Sequence, residues 1–159
     1  MVAVAILAIL LTAVLPSFKV WIQNAKIRTA TESLKNGLQL ARVEAIRRNQ
    51  GVIFSLVGTD STWSVDTVAT TAASSAQIQS RSSAEGSSNV TIAPTGGTTA
   101  TFNGLGRQVG AGLTQIDVSV PVTILPTNQQ RALQIRIATG GQIRTCDGYF
   151  TAPDPRACP

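Results

Sequence analysis

Apolar and polar positions change rhythm along this chain. From Met1 to Leu15 the sequence reads MVAVAILAILLTAVL, with no charge and one hydroxyl at Thr12. After Pro16 a helical rhythm sets in. Ile27, Ala30, Leu34, Leu38, Ala41 and Ala45 recur at three- and four-residue steps, which places them on one helix face. Lys26, Arg28, Lys35, Arg42, Arg47 and Arg48 lie mostly off it. The spacing predicts one long rod, hydrophobic in its first half and amphipathic in its second. It should stop at Asn49-Gln50-Gly51, with Gly51 available as a left-handed cap and arginines in the last turn. Pro16 removes a backbone hydrogen bond and is expected to kink or loosen the rod.

Past residue 51 the period shortens to two. Residues 52–57 and 62–65 are β-rich and separated by Gly58-Thr59-Asp60-Ser61, which reads as a hairpin. Residues 67–89 are dominated by Ser, Thr and Ala around an isolated Ile78, so a surface excursion or weak edge structure is expected. Val90-Thr91-Ile92 and residues 98–102 are short strand candidates split by Pro94-Thr95-Gly96-Gly97. The run from Phe102 to Arg107 reads as a glycine turn between strands. Its glycines form no nucleotide fingerprint, since no strand-then-helix context surrounds them. Ile116, Val118 and Val120 alternate as a half-buried strand that Pro121 ends or forces to an edge.

Leu133, Ile135 and Ile137 define one face of a further strand, with Gln134 and Arg136 on the other. Gly140-Gly141 turns the chain, and residues 143–146 return. A three-residue loop, 139–141, pairs Ile137 with Ile143 and Arg136 with Arg144, and puts Gly141 where a left-handed residue is wanted. A two-residue loop would instead bury Arg144. The longer loop is therefore preferred, although two arginines opposed on one exposed face repel. An anion visiting Arg136 and Arg144 would relieve that repulsion.

Composition narrows the chemistry. The 159 residues contain no His, only 13% charged and 4% aromatic residues, and two Cys. The commonest general base and metal ligand is missing, and a four-cysteine zinc site is excluded. No Ser/His, Cys/His or paired-carboxylate set can be assembled, so no enzyme, cofactor, metal or small-molecule substrate is expected. The net charge of +5 is carried by the rod: residues 1–50 hold seven basic and two acidic groups, and the remainder holds six of each. The high pI therefore does not mark a basic nucleic-acid-binding head. Cys146 and Cys158 bracket a short proline-stiffened loop, which suggests a disulfide rather than a redox pair of C-x-x-C spacing. A disulfide implies a head in an oxidising compartment.

The first fifteen residues would make a helix roughly 22 Å long, against roughly 30 Å of bilayer hydrocarbon. A signal-peptide core lacks its basic flank here, and a buried soluble helix competes. The favoured expectation is the tail of a longer membrane segment that starts upstream, because the helical pattern continues without a break.

The run VAVAILAILLTAVLPSF, then an Arg/Lys-dotted helix and ARVEAIRRNQGVIF, resembles type IV pilin-like proteins. More narrowly it is similar to the minor pilin and pseudopilin group that includes FimT, FimU and the type II secretion pseudopilin GspH. The basic leader, cleavage glycine and Phe-Thr-Leu-Ile-Glu run of that group have no counterpart in these residues. The resemblance implies an α+β fold, one long N-terminal helix packed on an antiparallel β-sheet head. It implies a stem at residues 1–25, an amphipathic helix on the head at 26–50, and a β-rich head at 51–159. It implies a single-pass inner-membrane protein with a periplasmic head, later taken into a pilus or pseudopilus with other pilins through the helix. Lys19, Lys26 and Arg28 read alone would place the head in the cytoplasm; the resemblance implies the opposite. The run from Phe102 to Arg107 also resembles an F-x-x-L-G-R run of the group, and the TCD…DPRACP ending is typical of FimT- and FimU-like members. FimT-type proteins carry a G-R-x-R run implicated in DNA binding. Here it reads Gly141-Gln142-Ile143-Arg144, and only the glycine and second arginine match. DNA contact through Arg136, Arg144 and Arg156 is the alternative expectation, with Tyr149 and Phe150 the only nearby stacking candidates.

Overall fold

Six small or aliphatic side chains at helical spacing need one apolar surface to cover them. In the computed structural model that surface is the inner side of two antiparallel sheets. The structure describes residues 2–159 apart from Ala72, Tyr149, Thr151, Ala152 and Pro159, with the backbone alone for residues 2–16. Helix α1 runs from Val2 to Arg48 and passes through Pro16 without a break. The side chains of residues 2–16, and with them the kink expected at Pro16, lie outside the described residues. Among the described residues no helix is long and apolar enough to cross a membrane.

Ile27, Ala30, Leu34, Leu38, Ala41 and Ala45 are all fully buried in a single core. The helix stops at the expected place, after Arg48, but the cap differs from the expectation. Asn49, not Gly51, takes the left-handed conformation, with φ 50°. Its N–H donates to Ile46 O and the Gln50 N–H to Ala45 O, both at 3.2 Å. This is the paired-bond C-terminal cap in which Asn substitutes for Gly. Gly51 serves instead as a close-packing site: a Cβ there would sit 3.1 Å from Val68 Cγ2.

Among the described residues nine strands follow: β1 Val52–Leu56, β2 Trp63–Thr67, β3 Gln77–Arg81, β4 Thr91–Thr95, β5 Thr99–Phe102, β6 Gln108–Val109, β7 Gln115–Ser119, β8 Leu133–Ile137 and β9 Ile143–Asp147. One sheet has the order β3-β2-β1-β5-β6 and the other β4-β7-β8-β9. The expected hairpin is β1–β2, with Val52 opposite Thr67 and Leu56 opposite Trp63. Buried and half-buried positions alternate along both strands, as a sheet with one face on the core requires. The Ser/Thr-rich stretch supplies β3, a mostly exposed edge on which Ile78 is half-buried.

Two details correct the sequence reading. Pro94 lies inside β4 rather than in the turn, which is tolerated because β4 is an edge strand and loses no inner ladder bond there. The turn at Gly96-Gly97, both at positive φ, carries the chain from one sheet to the other. β4 and β5 are thus neighbours in sequence but belong to different sheets. The strand β6 and a short 3-10 turn, Thr127–Gln129, carry too few periodic positions to be read beforehand.

Polar ties fix α1 to the head at two levels. Near the base of the head Asn24 donates to Gln129 O at 3.0 Å and accepts from Arg131 N–H at 2.8 Å. In the middle the buried Trp63 indole donates to Ser33 Oγ at 2.9 Å. Opposite that bond, Gly37 lets the aromatic pair Phe54 and Trp63 approach the helix: an added Cβ would lie 2.9 Å from atoms of both rings.

Candidate interaction surfaces on the stem and the C-terminal sheet

The outer face of the second sheet is built by β7, β8 and β9. Gln115 stands opposite Arg136, and Arg136 opposite Arg144. The hairpin has the register that a three-residue loop gives, with Ile137 opposite Ile143 and Gly141 at φ 78°. Arg136 is not left to itself. Its Nε donates to Gln134 Oε1 at 2.9 Å, and Gln134 Nε2 donates onward to Asp117 Oδ1 at 2.5 Å. Gln115 Nε2 donates to the same carboxylate at 2.9 and 3.1 Å. A ladder of amides therefore links Asp117 to the first arginine. Arg144 is exposed and has no ion-pair partner among the described residues. Arg136, Arg144, Gln115 and Gln142 line a shallow depression of about 510 Å³.

Arg156 does not join that pair in the same role. Its guanidinium makes two bonds to Asp154, Nε to Oδ1 at 3.1 Å and the second nitrogen to Oδ2 at 2.9 Å. It also lies 3.8 Å from the Phe150 ring centroid. The arginine's bonds hold the Asp154 carboxyl below its usual range. Arg156 and Arg144 meet only across the small groove closed by the C-terminal loop. Tyr149 lies outside the described residues. Cys146 and Cys158 are bonded, with Cα atoms 5.2 Å apart. The loop they close returns to the sheet, where Asp147 N–H donates to Arg156 O at 2.9 Å and Asp147 bridges Ala157 in parallel.

The two glycine runs meet each other. Gly106 and Gly141 are both left-handed, and Gly106 O sits where a Cβ on Gly141 would have to go. Arg42, from α1, donates Nε to that same Gly106 carbonyl at 3.1 Å. Asn103 Oδ1 caps the turn by accepting from Leu105 and Arg107 N–H, each at 3.0 Å. The glycine shared with the G-R-x-R run is thus needed for a three-element junction of α1 and two turns. Sequence reasoning missed this contact. Its only signal was a glycine in each run, which does not say what the glycines face.

The second surface is the stem. N-terminal to Ile27 the helix still touches the head through Asn24 and Val20, while Phe18 and Trp21 on its other side are 55% and 66% exposed. Their rings stack on each other at 5.8 Å rather than on the head. Among the described residues no group of three or more His, Cys, Asp or Glu side chains could hold a metal.

Comparison with known proteins follows the architecture. Solved structures with this fold include the type IV minor pilin FimU of Pseudomonas aeruginosa, at TM-score 0.56 and 17% identity, covering 78% of this chain and 90% of that one. A second crystal form of FimU matches at TM-score 0.53 and 19% identity, covering 74% and 90%. The solution structure of GspH from E. coli matches at TM-score 0.53 and 14% identity, covering 83% and 95%. No curated protein sequence matches the chain. The family model for the type II transport protein GspH matches residues 30–141, from Ala30 on the buried helix face through β8 to the Gly141 turn. The chain therefore belongs to the GspH family, the minor pilins and pseudopilins.

Proposed function

We propose that this chain is a FimU- or FimT-like minor pilin, a structural and non-catalytic subunit that takes part in type IV pilus assembly. The observation that carries the reading is the stem. α1 commits one face of residues 27–45 to the head, touches it again through Asn24 and Val20, and presents exposed Phe18 and Trp21 just after an uncharged apolar run. Such a surface needs a cover. On this reading lipid of the inner membrane supplies it first, in a single-pass arrangement with the head in the periplasm, and the stems of other pilins supply it after assembly. The disulfide supports a head outside the cytoplasm. The carboxylates support a structural role: Glu44 is held by Arg47 and Arg48, Asp154 by Arg156, Asp60 caps a turn, and Asp117 serves the amide ladder.

Deletion of the gene in its own host tests this, with surface pili and type II secretion both measured. The expected result is loss of pili with secretion intact, restored by the gene in trans. Loss of secretion with pili intact would make the chain a GspH-type pseudopilin. No change in either would contradict an assembly role.

The opposed Arg136 and Arg144 favour a second reading, a DNA-binding minor pilin for uptake in natural transformation, with Arg156 beside them. A gel shift with the full chain at two salt concentrations tests it. Binding at low salt that Arg144→Gln weakens would support DNA contact; no shift, or one indifferent to that change, would remove it.

A further inference from the structure

The β9 strand leaves one side of the second sheet open. Ala138 N–H donates to Gln142 O at 2.9 Å, so that pair is hydrogen-bonded. Alternation along an antiparallel ladder then makes Arg136/Arg144 a bonded pair, and turns the N–H and C=O of Ile143, Thr145 and Asp147 away from β8. Asp147 bears this out, since its N–H is taken by Arg156 O on the outer side. The disulfide-held C-terminal segment thus covers the far end of the edge, and its residues 153–158 face Arg144 and Thr145 across the small groove beside it. Among the described residues nothing bonds the outward groups of Ile143 and Thr145.

We propose that residues 143–145 form a docking edge for an extended acidic segment of another protein, which adds as a strand beside β9 and sets a carboxylate opposite Arg144. Main-chain bonds supply the register, and the side chain facing Arg144 supplies the selectivity. A flanking apolar residue of the incoming strand falls beside Ile143, which packs against the core. The partner's pattern is therefore apolar-acidic-apolar. Two alternatives fit less well. In a second copy docked antiparallel with Ile143 opposite Thr145, Arg144 would meet Arg144, and like charges directly opposite are destabilising. A DNA backbone could meet the arginines, but it offers no donor to the two carbonyls on the same edge, whereas a peptide answers both kinds of group. The docking edge does not depend on the machine the subunit serves; only the source of the strand, a neighbouring subunit, rests on the assembly reading.

The test uses the full chain in detergent, labelled for amide signals, with a capped seven-residue peptide alternating Val and Asp at millimolar concentration. The Ile143 and Thr145 amides should gain exchange protection, while the Arg144 amide, already bonded to β8, should not change. Arg144→Gln should weaken the peptide about tenfold, as loss of one charge-assisted bond would. A peptide with Lys for Asp, or one methylated on its pairing amides, should give no protection. Absence of protection at both amides, equal binding of the methylated peptide, or stronger protection by a DNA duplex would each overturn the docking edge. Failure here with pili still lost on gene deletion would remove the edge and leave the assembly role standing.

Discussion

Gly37 shows how a single missing methyl group can set a core. In a helix interior glycine costs roughly 1 kcal/mol relative to alanine, so its presence calls for a reason. The reason is the 2.9 Å that a Cβ would leave to Phe54 and Trp63. Trp63 cannot retreat without losing its bond to Ser33. Overpacking of this kind costs about 1–3 kcal/mol, so Gly37→Ala should lower stability by roughly 1–2 kcal/mol despite its better helix propensity. Thermal unfolding of the two proteins measures this, and a higher midpoint for the variant would contradict the packing argument. Asp60 makes a different kind of local demand. Its carboxylate accepts from Thr62 N–H and from Ser83 Oγ, each at 2.9 Å. The Thr62 hydrogen bonding, foremost among several contacts, outweighs burial and holds its pKa below the usual range. A carboxyl lowered in the folded state contributes stability that is present above its unfolded pKa and lost as pH falls through the folded value. Denaturant midpoints across the acid range should therefore fall more steeply for the native chain than for Asp60→Asn. Parallel curves would show that this turn carries no pH dependence.

Among the elements, the C-terminal hairpin and its hook depend most on a covalent tie. The Cys146–Cys158 bond closes a short loop and holds Asp147 against Arg156 and Ala157. Closing a loop of this size is worth about 3 kcal/mol by the chain-entropy argument. Replacing both cysteines with serine should lower the unfolding midpoint by roughly 10 °C in a chain of this length and speed exchange at the Asp147 amide. An unchanged midpoint would mean that the hook holds without its bond. This hairpin was the most legible part of the chain, because one residue of register moves every side chain to the other face and the Ile/Arg alternation permits only one answer. The helix face was legible for the same kind of reason, and its six positions are buried without exception. Its stop was less so. Asn49 and Gly51 both suit a left-handed cap, and the choice depends on Val68 packing against Gly51 from a strand end far along the chain. The change of sheet between β4 and β5 was also hidden, since local periodicity records burial and not which sheet receives it. The arginine pair could be placed from sequence, but the amide ladder under Arg136 could not. Gln115, Asp117 and Gln134 carry no signal until β7 and β8 lie side by side.

At the scale of the whole molecule the helix serves two environments. One face of residues 27–45 belongs to the head's core, and before it Phe18 and Trp21 present aromatic surface that the head does not cover. The family match begins within the buried part of the helix and runs through β8, so the head is the shared frame; on the proposed reading the projecting stem is the means of joining others. Asn24, gripping residues 129–131, marks where the two meet. The head need not rearrange for assembly, since its own helix face is already satisfied. On the proposed reading, what changes is the cover on the stem. A photo-reactive residue in place of Trp21, in the full-length chain expressed in its own host, reads that cover directly. The account predicts light-dependent adducts to other pilin-type subunits in assembled fibres, and none when assembly is blocked. Recovery of a soluble, monomeric chain without its apolar run, and no subunit adduct from the Trp21 position, would contradict it.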